Sequence, residues 1–250
     1  MRVANGHSDM RILIIRHGDP DYSIDGLTEK GKREAELLSL KLKDEGIDAI
    51  YVSPLGRARL TAKPTEEKVG IAATVCPWLE EFSYATVNLP YLEKPTCCWD
   101  LLPEYVNTKE NLYKSDKWFT EDFIKSSTVY ESYLNVCREL DALLEGYGYV
   151  RKGYSYRSIK PNHKTIALVC HYGITAVLLS HLLNCSPYTV WQNCVTLPSS
   201  VTTLYTEERC EGEASFRMCG MGDLSHLYKY GEPAAFSARF CECFADETRH

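Results

Sequence analysis

No stretch of this sequence is apolar enough to cross a bilayer. The most apolar long window, residues 165–183, is interrupted by His171, Tyr172, Gly173 and His181. It reads as a strand, a turn and a helix rather than as a span. Residues 1–10 are polar and lack the apolar centre of a signal peptide, so they are expected to form a flexible leader, and a cytoplasmic location follows. An excess of positive charge is also missing. Lys and Arg number 28 against 34 Asp and Glu, a net charge of −6, which argues against non-specific binding to nucleic acid or to an anionic membrane. Paired C-x-x-C motifs with zinc spacing are absent. The eleven cysteines are odd in number and scattered, apart from Cys97-Cys98 and Cys241-x-Cys243. Without a signal peptide they do not suggest a disulfide framework, and Cys170, inside an apolar run, reads as a core thiol. Internal repeats and low-complexity segments are absent as well.

What is present begins with Arg11-Ile12-Leu13-Ile14-Ile15-Arg16-His17-Gly18. Four consecutive aliphatic residues bounded by turn formers read as a strand buried on both faces, as at the centre of a parallel sheet. Thr28 then suits the N-cap of a helix in which Ala35, Leu38 and Leu42 recur at helical spacing and which Gly46 stops. Residues 47–52 read as a second strand ending in Ser53-Pro54. A second helix starts near Leu55, and Pro64 is expected to break or kink it. Residues 72–75 form a short third strand. This alternation argues for a three-layer α/β/α fold with a mostly parallel central sheet.

Residues 82–127 are irregular and rich in Tyr, Trp, Pro and charge, too long for a structureless loop in a compact domain. They are expected to form an inserted cap with short helices, within a single domain spanning 11–250. Helical periodicity resumes over 128–144, ending at Gly146, and 147–156 reads as a loop. Residues 165–170 are another buried strand, a helix covers 174–183, and 201–206 and 215–221 read as two strands joined by a turn at 211–213. The tail, 223–250, is expected to pack over the sheet as short helices or irregular chain.

Strand ends of an open α/β sheet carry its binding crevice. Here the first supplies Arg16 and His17, the second leads to Arg57, the third to Glu80 and Glu81, and the fourth to His171. Two arginines, two histidines and an acid suit a phosphoryl group. Arg forks hold phosphate oxygens, a neutral imidazole can attack phosphorus, and a carboxylic acid can protonate a leaving oxygen. His7, His163, His181, His226 and His250 have no motif around them, and Arg59 reads as a surface residue.

These pieces resemble the histidine phosphatase superfamily, also called phosphoglycerate mutase-like. The resemblance is carried by Arg16-His17-Gly18, Leu27-Thr28-Glu29-Lys30-Gly31, Ser53-Pro54-x-x-Arg57-Ala58-x-x-Thr61-Ala62, Leu79-x-Glu81 and His171-x-Gly173, in order and at fitting spacing. It implies that His17 is the nucleophile that becomes a phosphohistidine. Arg16, Arg57 and His171 would hold the phosphate, and Glu81 would be the acid and then the base, with Glu80 as its runner-up. Ser23 stands where mutases carry a phosphate-binding Asn, which moves the expectation from mutase toward hydrolase. The cap has no paired arginines for a second phosphate, and no His-Asp pair follows the last strand.

The expected activity is a metal-independent phosphomonoesterase of histidine acid phosphatase type, acting on a small phosphorylated metabolite without cofactor or metal. The alternatives are a phosphoglycerate mutase-type phosphotransferase and a non-catalytic phospho-ligand binding domain. A homodimer stays open. Trp99-Asp100, Tyr154, Tyr156 and Arg157 are candidates to line the substrate pocket from the cap.

Overall fold

The structure is a computed structural model in which residues 9–237 are described. In chain order the principal elements are β1 (Arg11–Arg16), α1 (Glu29–Leu42), β2 (Ala49–Val52), α2 (Gly56–Val69) and β3 (Thr74–Val75). Then come α3 (Val129–Gly146), β4 (Tyr149–Lys152), β5 (Ser155–Ser158), β6 (Thr165–Cys170), α4 (Tyr172–Leu183), α5 (Pro187–Asn193), β7 (Val201–Cys210) and β8 (Glu213–Asp223). Among the described residues these strands form one eight-stranded sheet in the order β3-β2-β6-β1-β7-β8-β5-β4. The first four are mutually parallel, and the other four extend the sheet in antiparallel fashion.

The sheet is covered on both faces, as the aliphatic run in β1 requires. Ile12 and Ile14 join the core built with α4 and α5, whereas Leu13 and Ile15 join the core built with α1 and α2. Side chains alternate across a strand, so one four-residue run serves both layers. Residues 82–127 share the first of these cores and carry short helices at Pro103–Val106 and Asp122–Lys125. Their aromatic centre is Trp118, buried against Tyr130, Tyr133 and Tyr188.

Several expectations meet their residues directly. Thr28 caps α1, its Oγ1 accepting the Gly31 amide at 3.0 Å, a bond worth about 1 kcal/mol in typical helices. Cys170 is fully buried. Met10, expected in the leader, is buried and pairs with Thr206 through both its backbone groups. Residues 1–8, most of the expected leader, lie outside the described residues, as do 238–250 of the tail, with His7, His250 and Cys241-x-Cys243. The tail before them forms one short helix, Ser225–Tyr228.

Two expectations need correction. Pro64 does not break its helix, for α2 runs through it as one element. The carbonyl that loses its donor belongs to Leu60, on the exposed flank of α2, where solvent can take over. The expected loop at 147–156 is a hairpin of β4 and β5, turning through Gly153 at φ +60°. Its Tyr149 and Tyr156 point inward and are buried, an alternation hidden among polar neighbours.

Candidate active site

Register brings the first residues together. Arg16 of β1 pairs with Cys170 of β6, so the next residues, His17 and His171, leave adjacent parallel strands side by side. Their rings lie 5.0 Å apart, centroid to centroid. β2 runs parallel on the other side of β6 and delivers Ser53, whose Oγ is 2.7 Å from His171 Nε2. From Ser53 the chain turns into α2, whose second residue is Arg57.

His17 is buried, and its Nδ1 is 2.7 Å from the Gly18 carbonyl oxygen. A carbonyl only accepts, so Nδ1 carries the proton and Nε2 is left with its lone pair. Burial, reinforced by the Arg16 charge, lowers the His17 pKa to about 3. The ring is therefore neutral at ordinary pH. His171, buried beside His17, Arg57 and Arg16, is held well below the usual histidine range, chiefly by burial.

The arginines are fixed by backbone and carboxylate. Arg16 Nη1 donates to the Thr196 carbonyl at 2.6 Å and Nη2 to the Ser237 carbonyl at 3.2 Å. Arg57 is 9% exposed. Its Nη1 donates to Asp25 Oδ1 at 2.6 Å, while Asp25 Oδ2 accepts the Gly56 amide at 2.6 Å. Asp25 takes a left-handed conformation at φ 47° to make this double contact. Arg57 Nε and His171 Nδ1 are buried with no hydrogen-bond partner among the described residues. A tetrahedral dianion would satisfy such groups.

The loop after His17 is braced from below. Gly18 donates its amide to Thr61 Oγ1 at 2.9 Å. Asp19 donates its amide to the buried Glu34 at 2.8 Å, and Thr28 Oγ1 donates to Asp19 Oδ2 at 2.7 Å. A Cβ on Gly31 would overlap the Asp19 backbone, so the glycine lets α1 press against this loop.

Glu81 enters from the segment after β3. Its Oε1 accepts the Phe82 amide at 2.8 Å and the Ile174 amide of α4 at 3.2 Å. Burial pushes its pKa up, against the pull of these amides and of Arg16. Glu80 is exposed and lines a separate surface hollow of about 400 Å³ with Trp78, Tyr84, Asn135 and Glu139. The two adjacent carboxylates therefore serve different places.

Ser23 is exposed, and its hydroxyl donates to Asp21 at 2.6 Å. Its neighbour Tyr22 instead lies against the Arg57 guanidinium, 5.4 Å from carbon to ring centroid. Trp99 and Glu81 both approach the Cα of Gly173. Tyr154 and Arg157 are exposed on the β4–β5 hairpin, and Tyr156 is buried against Asp141 and Arg151. These three belong to the far edge of the sheet and not to the pocket. Sequence reasoning missed Asp25 and Thr196, which have no local pattern. Ser53 and Thr61 lay inside a quoted motif without a role.

The fold is an open α/β sheet with a cluster whose residue types suit a phosphoryl group, and comparison with known proteins gives the class its name. The sequence profile of the histidine phosphatase superfamily (branch 1) matches residues 12–215. The chain belongs to that superfamily. Among curated proteins it is 22% identical over 191 residues to an adenosylcobalamin/alpha-ribazole phosphatase of Salmonella typhimurium, covering 73% of this chain and 84% of that one. Over 96 residues it is 28% identical to a probable phosphoglycerate mutase of Yersinia enterocolitica, covering 35% of this chain but only 45% of the relative. Among solved structures, an Entamoeba histolytica phosphoserine phosphatase mutant in complex with phosphoserine superposes with a TM-score of 0.56 at 19% identity. That match covers 87% of this chain and 99% of the other. A mycobacterial glucosyl-3-phosphoglycerate phosphatase gives 0.53 at 20% identity, covering 84% and 97%. At these identities the structures speak for the fold. No helix among the described residues is long and apolar enough to cross a membrane.

Proposed function

We propose that this protein is a phosphomonoester hydrolase that works through a phosphohistidine on His17, with a small phosphorylated metabolite as substrate. The observation that carries the reading is the His17 Nδ1–H bond to Gly18, which fixes a buried neutral imidazole with Nε2 free. Arg16, Arg57 and His171 receive the phosphoryl oxygens and stabilise their charge in the transition state. In the first step His17 Nε2 bonds to phosphorus, the ester P–O bond breaks, and the leaving alkoxide takes the Glu81 proton. In the second, water attacks the phosphohistidine and gives a proton to the Glu81 carboxylate. Inorganic phosphate leaves, and both residues return to their starting states. The mechanism routes no step through a metal, and among the described residues no His, Cys, Asp and Glu cluster suits one.

The similarity to named phosphatases supports this reading, and hydrolysis of p-nitrophenyl phosphate in the presence of EDTA tests it. Turnover is expected to survive chelation and to vanish in His17→Ala, while that variant still binds inorganic phosphate. Undiminished turnover in His17→Ala would refute the nucleophile. Phosphate binding without turnover by the unaltered protein would favour a binding domain. Conversion of 3- to 2-phosphoglycerate faster than hydrolysis would favour a mutase.

A further inference from the structure

Gly173, the second residue of α4, is approached from two sides. A Cβ placed there would stand 2.7 Å from Glu81 Oε1 and closer still to Cη2 and Cζ3 of Trp99. The edge of the indole and the carboxyl oxygen therefore converge on one point, and only glycine lets them meet there. Trp99 comes from the 82–127 segment, and its position is set by α5. Tyr188 and Gln192 lie one turn apart on that helix, hence on one face. The Tyr188 hydroxyl donates to the Cys98 carbonyl at 2.9 Å, and Gln192 Nε2 donates to the Trp99 carbonyl at 2.5 Å. The ring then sits 5.9 Å from that of Trp191 and 6.1 Å from that of Tyr172. Trp191 Nε1 in turn donates to the Gly173 carbonyl at 3.0 Å.

We propose that Trp99 is a positioning residue for Glu81, its indole shutting water away from the carboxyl on the side where the leaving group departs. The inference rests on reading Glu81 as the acid. The groups that face this carboxyl are Arg16 from β1, Cys170 from β6, Tyr172 from α4, and Cys97 and Cys98 beside Trp99. Of these Arg16 is the cation, and together with the amides of Phe82, Gly173 and Ile174 it favours the carboxylate. Burial opposes them, and it is the larger effect. The indole adds to the burial that favours the protonated Glu81, the form that must deliver a proton.

Two substrates separate this role from a structural one. An alkyl phosphate needs its leaving oxygen protonated, whereas the phenolate of p-nitrophenyl phosphate departs with less help. Trp99→Ala is expected to slow alkyl phosphate hydrolysis about tenfold more than p-nitrophenyl phosphate hydrolysis. The alkaline limb of its pH–rate profile should move down by about one pH unit, and Trp99→Phe should restore both. Gln192→Ala, which frees the Trp99 carbonyl, should show the same signature more weakly, and it carries the test if Trp99→Ala does not fold. Equal losses on both substrates with an unmoved pH profile would overturn the proposal, as would no loss at all. Glu81→Gln is the control. If it too spares the alkyl phosphate, the reading of Glu81 as acid fails; if it is selective while the Trp99 and Gln192 variants are not, only the role of Trp99 fails.

Discussion

The two ends of the pocket are built by different means. At the phosphate end, Arg16, His17, Ser53 and His171 follow directly from neighbouring parallel strands, and their spacing is set by ladder register. At the leaving-group end, Glu81 and Trp99 come from irregular chain outside the eight-stranded sheet, joined by a two-residue antiparallel pairing of Thr86–Val87 with Thr96–Cys97. Their positions are fixed by contacts to α4 and α5: the Ile174 amide donates to the Glu81 carboxyl, the Gln192 side chain donates to the Trp99 carbonyl, and the absence of a Cβ at Gly173 leaves room for both. One end is held by regular backbone, the other by side chains. The phosphate end should thus be intolerant of change at its own residues, and the leaving-group end should respond to change at a distance.

The largest effect is expected at the phosphate end. If Arg57 holds the phosphoryl oxygens as proposed, Arg57→Ala should lower kcat/KM about 10²- to 10³-fold on every substrate. Asp25→Asn, which weakens the hold on Arg57 Nη1, should cost about tenfold with the same lack of substrate preference. A substrate-dependent loss in either variant would blur the distinction between the two ends.

The pH profile sharpens the comparison further. His17 is depressed to about 3, so the nucleophile stays deprotonated well below the ordinary histidine range, and activity should hold as pH falls through 6 and 5. On the alkaline side Glu81 loses its proton and the rate falls. An acid limb centred near the free histidine pKa would contradict the assignment of a buried neutral His17.

The smallest effect concerns stability rather than rate. Glu34 lies under the Asp19 amide, and burial raises its pKa from 4.5 to about 7, helped by the Asp19 charge. The folded chain thus holds this proton more tightly than the unfolded chain does. That contribution is complete below about pH 4.5 and is lost as pH rises toward 7. Glu34→Gln keeps an acceptor for the Asp19 amide and removes the charge. It should raise unfolding free energy by roughly 2 kcal/mol at pH 8 and by little at pH 4, as read by denaturant titration at both values. Equal effects at the two pH values would refute the assignment.

The same contrast explains what was legible in the sequence. Arg16, His17, Arg57 and His171 were readable because buried aliphatic runs announce parallel strands and polar residues at their ends announce a crevice. The choice between Glu80 and Glu81 rested on a family pattern, since adjacent carboxylates in irregular chain carry no periodicity. Packing separates them, with Glu81 beside Arg16 and Glu80 in a surface hollow. Asp25 was invisible because its role depends on a left-handed backbone that brings it to α2 from 31 and 32 residues away. Ser23 was assigned by offset from His17; in the structure its hydroxyl donates to Asp21, and the neighbouring Tyr22 faces Arg57. The β4–β5 hairpin was lost because its inward-facing residues are tyrosines, whose polar ends reach Glu208 and Asp141.

The central claim is a covalent intermediate on His17, and it can be observed directly. The protein is mixed with a phosphate-labelled monoester, quenched in alkali within milliseconds, digested and analysed by mass. Transient phosphorylation at His17 is expected, stable to alkali, lost in acid, and absent from His17→Ala. Label on another residue, or rapid turnover by the unaltered protein without label on His17, would contradict it.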